Sequence, residues 1–209
     1  MISPEVALSF FGVAVLLALS PGPDNLFVLT QSALTGRRHG LLVVLGLCTG
    51  LIGHTVAVAA GLAALLATSA TAFTVLKFLG AAYLLYLAWG AWRAGAGSAS
   101  AGQAAPPRAW ALYRRGIIMN LTNPKVSLFF LAFLPQFTSP ERGAVLWQVI
   151  SLGLLFMLAT LLVFGAIAWF SGSLGARLQH SARARQWLNR GAAVVFVGLA
   201  VRLGLAGRQ

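Results

Sequence analysis

Ser20-Pro21-Gly22-Pro23-Asp24-Asn25 and Asn120-Leu121-Thr122-Asn123-Pro124-Lys125 are the two stretches on which the reading of this chain turns. Each interrupts a long apolar run with proline and sets an ionisable side chain beside the interruption. Proline has no N–H for the helical ladder, and its ring clashes with the preceding turn. Two prolines around Gly22 therefore predict a broken helix rather than a bent one. Asn123-Pro124 reads as an N-cap followed by proline at the first helical position, where a new half-helix starts. Its free N–H groups and positive dipole end would face inward and suit a carboxylate. A lone proline in an apolar helix is commonly a simple kink. Two breaks at matching places, each beside a charge, form a pattern that kinks alone do not explain.

The flanking runs are long. Residues 6–23, 39–76, 78–92, 126–140 and 143–176 contain no Asp, Glu, Lys or Arg. A helix crosses the hydrocarbon with about 20 mostly apolar residues. Six helices are expected, at about 5–34, 40–66, 73–93, 111–137, 143–170 and 187–206. The first has no basic region ahead of it and resumes beyond Pro-Gly-Pro, unlike a cleaved signal peptide. Across all 209 residues, 59% are apolar, 9% are charged and mean hydropathy is +0.85. A soluble domain carries about a quarter charged residues. This excludes an ordinary soluble enzyme and a disordered chain, and Cys48 alone builds no disulfide scaffold. The fold class expected is all-α, a polytopic membrane protein with its first and fourth helices broken mid-membrane.

Tryptophan and charge test the boundaries independently. Trp89, Trp92, Trp110, Trp147, Trp169 and Trp187 all fall near the ends of expected spans, as interfacial belts require. The balance of 15 Lys/Arg against 3 Asp/Glu gives +12, which could suggest nucleic acid. Topology accounts for it instead. The loops after helices one, three and five hold Arg37, Arg38, Arg93, Arg108, Arg114, Arg115, Arg177, Arg183, Arg185 and Arg190. Lys77, Arg142, Arg202 and Arg208 fall on the other side, with Glu5 and Glu141. The positive-inside rule makes the odd loops cytoplasmic and sets both termini outside. No nucleic-acid partner is expected. Residues 95–107, all small, polar or proline, form a linker between a first unit, 1–94, and a second, 108–209. Three spans per unit make the two units enter the membrane in opposite senses, the inverted-repeat plan of secondary transporters.

Asp24 is the one carboxylate expected within the hydrocarbon, and Lys125 the one cation near mid-span. Ionisable groups at such depth face a cavity or a partner. The two are expected at matching repeat positions, meeting across a central cavity. There Asp24 would exchange protons or hold an ammonium, while Lys125 and the Asn123 half-helix end would hold a carboxylate. The competing reading is a permanent ion pair that only locks two helices. Asn25, Gln31, Asn120 and Thr122 are supporting polar groups that either line this path or bond freed backbone. His54 is a proton-relay candidate by its near-neutral reference pKa. It also shares a face with Gly46, Gly50 and Gly53, a small-residue stripe suited to close packing. Tyr83 and Tyr86 read as packing or rim residues, and Cys48 as a small apolar one.

Pro21-Gly22-Pro23-Asp24 in the first span, together with Asn123-Pro124-Lys125 in the fourth, resembles the LysE/RhtB family of amino-acid exporters. Chain length, six spans and the central linker agree over essentially the whole chain. The resemblance implies efflux of amino acids across a bacterial cytoplasmic membrane, coupled to the proton gradient, without metal or organic cofactor and without enzymatic activity. A cationic substrate side chain would ask for a second buried acid, and the membrane interior offers none. A neutral amino acid, such as threonine, homoserine or a branched aliphatic one, is therefore expected, although backbone carbonyls can replace an acid. An exporter of another solute is the main alternative. Metal cations want several oxygen or thiolate ligands, and Lys125 would repel them. An aspartyl protease needs two carboxylates, and a membrane scaffold needs no matched breaks. Small-residue stripes leave a homodimer open.

Overall fold

The computed structural model describes residues 2–20, 22–68 and 108–171, with scattered positions between 74 and 93 and between 186 and 205. Among the described residues all regular structure is helical. The main elements are α1 (Pro4–Leu19), α2 (Pro23–Thr35), α3 (Arg37–Thr68), α4 (Ala109–Thr122), α5 (Pro124–Leu128) and α6 (Val145–Trp169). Arg37–Gly61 and Val145–Trp169 are each long and apolar enough to cross a membrane. Two bent pairs pass the same test when each is taken together: α1 with α2, at 63°, and α4 with Pro124–Phe137, at 49°. The spans expected at 40–66 and 143–170 are thus present. Those expected at 5–34 and 111–137 are the two bent pairs, broken where the prolines predicted. The linker 95–107, Pro21 and Tyr83 lie outside the described residues, as do most of 73–93 and 187–206.

Short-range chemistry sets the joints. Gly36 alone separates α2 from α3, with φ +94°, a conformation that costs glycine nothing. The Arg37 guanidinium then lies 4.2 Å from the centre of the Trp169 ring, tying this turn to the end of α6. After α5 the helix widens into a π turn, Phe129–Phe133, and tightens into a 3-10 turn, Leu134–Phe137. Pro135 is the cause, because it removes one ladder donor and crowds the turn before it.

Packing forms two apolar clusters. One gathers Phe10, Phe129, Phe130, Phe133, Phe137 and Phe156, and includes Ala81, Ala88, Ala193 and Ala200. Its rings meet at centroid distances such as 5.0 Å for Phe129–Phe133 and 5.2 Å, edge to face, for Phe10–Phe137 and Phe130–Phe156. The π turn is thereby held against α1 and α6. The other cluster joins Ala18, Val28, Val43, Leu47, Leu112 and Phe164. Helix α3 packs along α2, α4 and α6. Its contact with α4 is glycine on glycine. A Cβ on Gly46 would collide with the Tyr113 carbonyl and lie 3.0 Å from Gly116 Cα, and one on Gly116 would strike the Val43 carbonyl. All six tryptophans expose more than half their surface.

At the head of α6, Gln148 is 1% exposed and clasps the preceding turn. Its Nε2 donates to the Ser139 and Gly143 carbonyls at 2.8 and 2.9 Å, while Oε1 accepts from the Ser139 N–H at 3.0 Å. Gln148→Ala leaves one N–H and two carbonyls of this partly buried turn without their side-chain partner. It is expected to cost about 1–3 kcal/mol, read as a lower unfolding midpoint of the purified protein.

Candidate functional site

The last helical bond of α1 runs from the Ser20 N–H to Leu16 O at 3.0 Å. The break before α2 leaves the carbonyls beyond it without helical partners, and side-chain donors reach them from two directions. Asn25 Nδ2 reaches Ala18 O at 2.7 Å. Lys125, more than 100 residues away, donates its ammonium to Leu17 O and Ser20 O, both at 3.1 Å. A cation at the negative end of a helix dipole is favourably placed. Asp24 sits in the first turn of α2, where a negative charge is likewise favoured.

The second break is built as its sequence predicts. Asn123 caps α5 with its side chain, Oδ1 accepting the Lys125 N–H at 3.0 Å, and Pro124 follows in the first turn. The other end of the Asn123 amide crosses to the first break, where Nδ2 donates to Asp24 Oδ2 at 2.8 Å. Asp24 and Lys125 therefore face one site without bonding to each other. The acid takes its hydrogen bond from the second break, and the amine caps the first. Asp24, Asn120, Asn123 and Lys125 are 3, 3, 4 and 8% exposed. Gly22 is the N-cap of α2 and adds no side-chain bond. Its bareness admits the lysine, since a Cβ there would lie 3.3 Å from Lys125 Nζ.

Asp24, Lys125 and Asn120 line one cavity at the seam of the two apolar clusters, with Leu17, Ala18, Leu47, Val126, Phe156, Thr160 and Phe164. Its volume is about 20 Å³. A water needs about 10–15 Å³, so the cavity has room for little more than one water beside its charges. Asn120 is seated by Gly50, where a Cβ would come within 2.7 Å of it. His54 donates from Nε2 to the Asn120 carbonyl at 3.1 Å and stacks 5.5 Å from Phe130, so it meets the site through backbone. Thr122 bonds back to Ile118 O at 2.7 Å. Gln31 lies on α2, beyond the cavity lining, and its backbone carbonyl accepts from Thr35. Thr160 was missed by sequence reasoning, although a buried polar residue well inside the apolar run of α6 was the available signal.

A buried acid and a buried amine on facing helix breaks are what the two proline motifs anticipated. The family model for the LysE type translocator matches residues 9–207. The chain belongs to that family. Individual relatives extend the likeness along the chain. The Leucine efflux protein of Salmonella choleraesuis is 34% identical over 202 residues, covering 91% of this chain and 90% of the relative. An uncharacterized membrane protein of Pseudomonas aeruginosa is 32% identical over 197 residues, with 92% and 91% coverage. One of Vibrio cholerae is 33% identical over 138 residues, with 66% and 67% coverage. No solved structure matches. As a LysE-type translocator with helices apolar enough to cross a bilayer, this is an integral membrane protein.

Proposed function

We propose that the chain is a secondary transporter that exports small neutral amino acids, threonine, homoserine or branched aliphatic ones, in exchange for protons. One observation carries this reading: a buried acid and a buried amine line a single cavity whose other walls are mostly apolar. A zwitterion presents an ammonium to Asp24 and a carboxylate to Lys125, while Leu47, Val126, Phe156 and Phe164 receive an aliphatic side chain. A lysine-like side chain would want a second acid, and Glu5 and Glu141 stand in terminal turns of other elements. The relative named for leucine efflux supports the aliphatic end of this range. Asp24, released from Asn123, is the group that alternates between proton and ammonium. Asn25, Asn120 and Asn123 complete the path, and His54 relays protons only if the Asn120 carbonyl releases it.

In this reading the protein sits in the bacterial cytoplasmic membrane, with its odd-numbered loops cytoplasmic and both termini outside. Units 1–94 and 108–209 are inverted three-helix repeats joined by 95–107. Their parting widens the small cavity, and two copies pair through lipid-facing surfaces. Proteoliposomes preloaded with labelled leucine, threonine or homoserine test it. An inward proton gradient is expected to accelerate efflux of at least one, and a protonophore to abolish the acceleration. Asp24→Asn keeps the shape and the bond from Asn123 but loses the charge. It is expected to lower efflux per folded molecule about 10- to 100-fold, the worth of one hydrogen bond to a charged group. Absence of efflux across the panel by correctly inserted protein would defeat the reading.

A further inference from the structure

We propose that the first helix break is a preformed subsite for a primary ammonium group, and that Lys125 is its tethered occupant, displaced when a ligand amine binds. The physiological ligand rests on the exporter reading above; the chemistry of the subsite does not. Ser20 Oγ, Asp24 Oδ1, Asn25 Oδ1 and Asn120 Oδ1 are buried oxygens that no donor among the described residues reaches. Ser20, Asp24 and Asn120 are at most 3% exposed, and the last two line the cavity. The nearby nitrogens are turned elsewhere: Asn25 Nδ2 bonds Ala18 O, Asn123 Nδ2 bonds Asp24 Oδ2, and Lys125 Nζ bonds Leu17 O and Ser20 O. The four oxygens therefore give the site spare capacity to accept hydrogen bonds. A buried acceptor without a donor is costly.

An ammonium offers three donors and no acceptor. A carboxylate placed here would face these lone pairs, among them those of Asp24 Oδ1. The negative end of the α1 dipole adds to the preference for a cation. Lys125 already presents the favoured group, an ammonium on two carbonyls, reaching it past the bare Cα of Gly22. When the amine of a ligand takes Leu17 O, Ser20 O and Asp24 Oδ1, the lysine is freed, and only then does a cation exist for the ligand's carboxylate. Loading is ordered, amine end first. Lys125 acts as a built-in competitor that lowers apparent amine affinity by the fraction of time it holds the subsite.

The test uses the purified full chain in detergent and two halves of the leucine skeleton, 3-methylbutylamine and 4-methylpentanoate, titrated by calorimetry with thermal unfolding alongside. The amine is expected to bind at least about tenfold more tightly than the acid, a tenfold ratio being a clear difference in binding free energy. Asp24→Asn should weaken the amine about tenfold, and Lys125→Met should tighten it about tenfold by removing the competitor. Equal or tighter binding of the acid, or amine binding unchanged in both variants, would overturn the proposal. If Lys125→Met is not recovered folded, the comparison of amine with acid on the unaltered chain decides alone. A chain that binds the amine but exports no amino acid keeps the subsite and loses the exporter reading. One that exports leucine yet prefers the acid does the reverse.

Discussion

Lys125→Ala is expected to cut export per folded molecule by about 10- to 100-fold, since a hydrogen bond to a charged group is worth about 1.5–3 kcal/mol. The loss has two sources that can be separated. Functionally, under the proposed reading, the carboxylate of the substrate loses the Lys125 cation. Structurally, Leu17 O and Ser20 O lose the donor that caps α1, each stranded buried carbonyl costing about 1–3 kcal/mol. Asp24 is also left as a buried charge with no compensating cation nearby, a strongly destabilising change. The double variant Asp24→Asn/Lys125→Ala removes that charge and is expected to unfold at a higher temperature than Lys125→Ala alone, without regaining export. Efflux into a defined volume, divided by the folded protein recovered on size exclusion, measures the functional part. Unchanged export per folded molecule would reduce Lys125 to a cap.

Gly116→Val is expected to leave little folded protein at all. A Cβ at Gly116 strikes the Val43 carbonyl and lies 3.0 Å from Gly46 Cα and 3.1 Å from Leu47 N, all backbone atoms of α3. Backbone cannot rotate away as a side-chain tip can, so the two helices must separate along their whole contact. Overpacking typically costs about 1–3 kcal/mol, and here the cost should exceed that range. Gly165→Ala is the matched control. A Cβ at Gly165 meets nothing within 4 Å, and alanine is the better helix former by about 1 kcal/mol. Monodisperse yield in detergent and the unfolding midpoint should fall steeply for the first and hold or rise for the second.

Much of this arrangement was legible in the sequence because it is written locally. Uncharged runs marked α3 and α6, prolines marked both breaks, and Asn123-Pro124 announced the cap that α5 carries. The stripe of Gly46 and Gly50 announced a close contact, although not that Gly116 and Asn120 would fill it. What the sequence could not disclose were pairings across great separation. No periodicity says that Lys125 caps carbonyls 105 and 108 residues earlier, or that Asn123 divides its amide between its own helix and Asp24, 99 residues away. The meeting of Asp24 and Lys125 across a cavity was expected as an encounter of charges. The structure instead gives each charge a polar partner of its own. The π turn was also hidden, since Pro135 advertises a disturbance but not whether the helix widens or tightens to absorb it.

The crossed caps bear on how the chain is made. Synthesis and insertion run from the N-terminus, so the end of α1 enters the bilayer long before its capping ammonium has been translated. Until α5 arrives, Leu17 O and Ser20 O lack the donor they keep in the finished protein, and Asp24 lacks Asn123. The first half is therefore an unfinished structure in hydrocarbon, dependent on water, lipid headgroups or an insertion factor to shelter its open backbone. Each helix break supplies the caps of the other, and a chain cut between them would have to bring both together before either break could close.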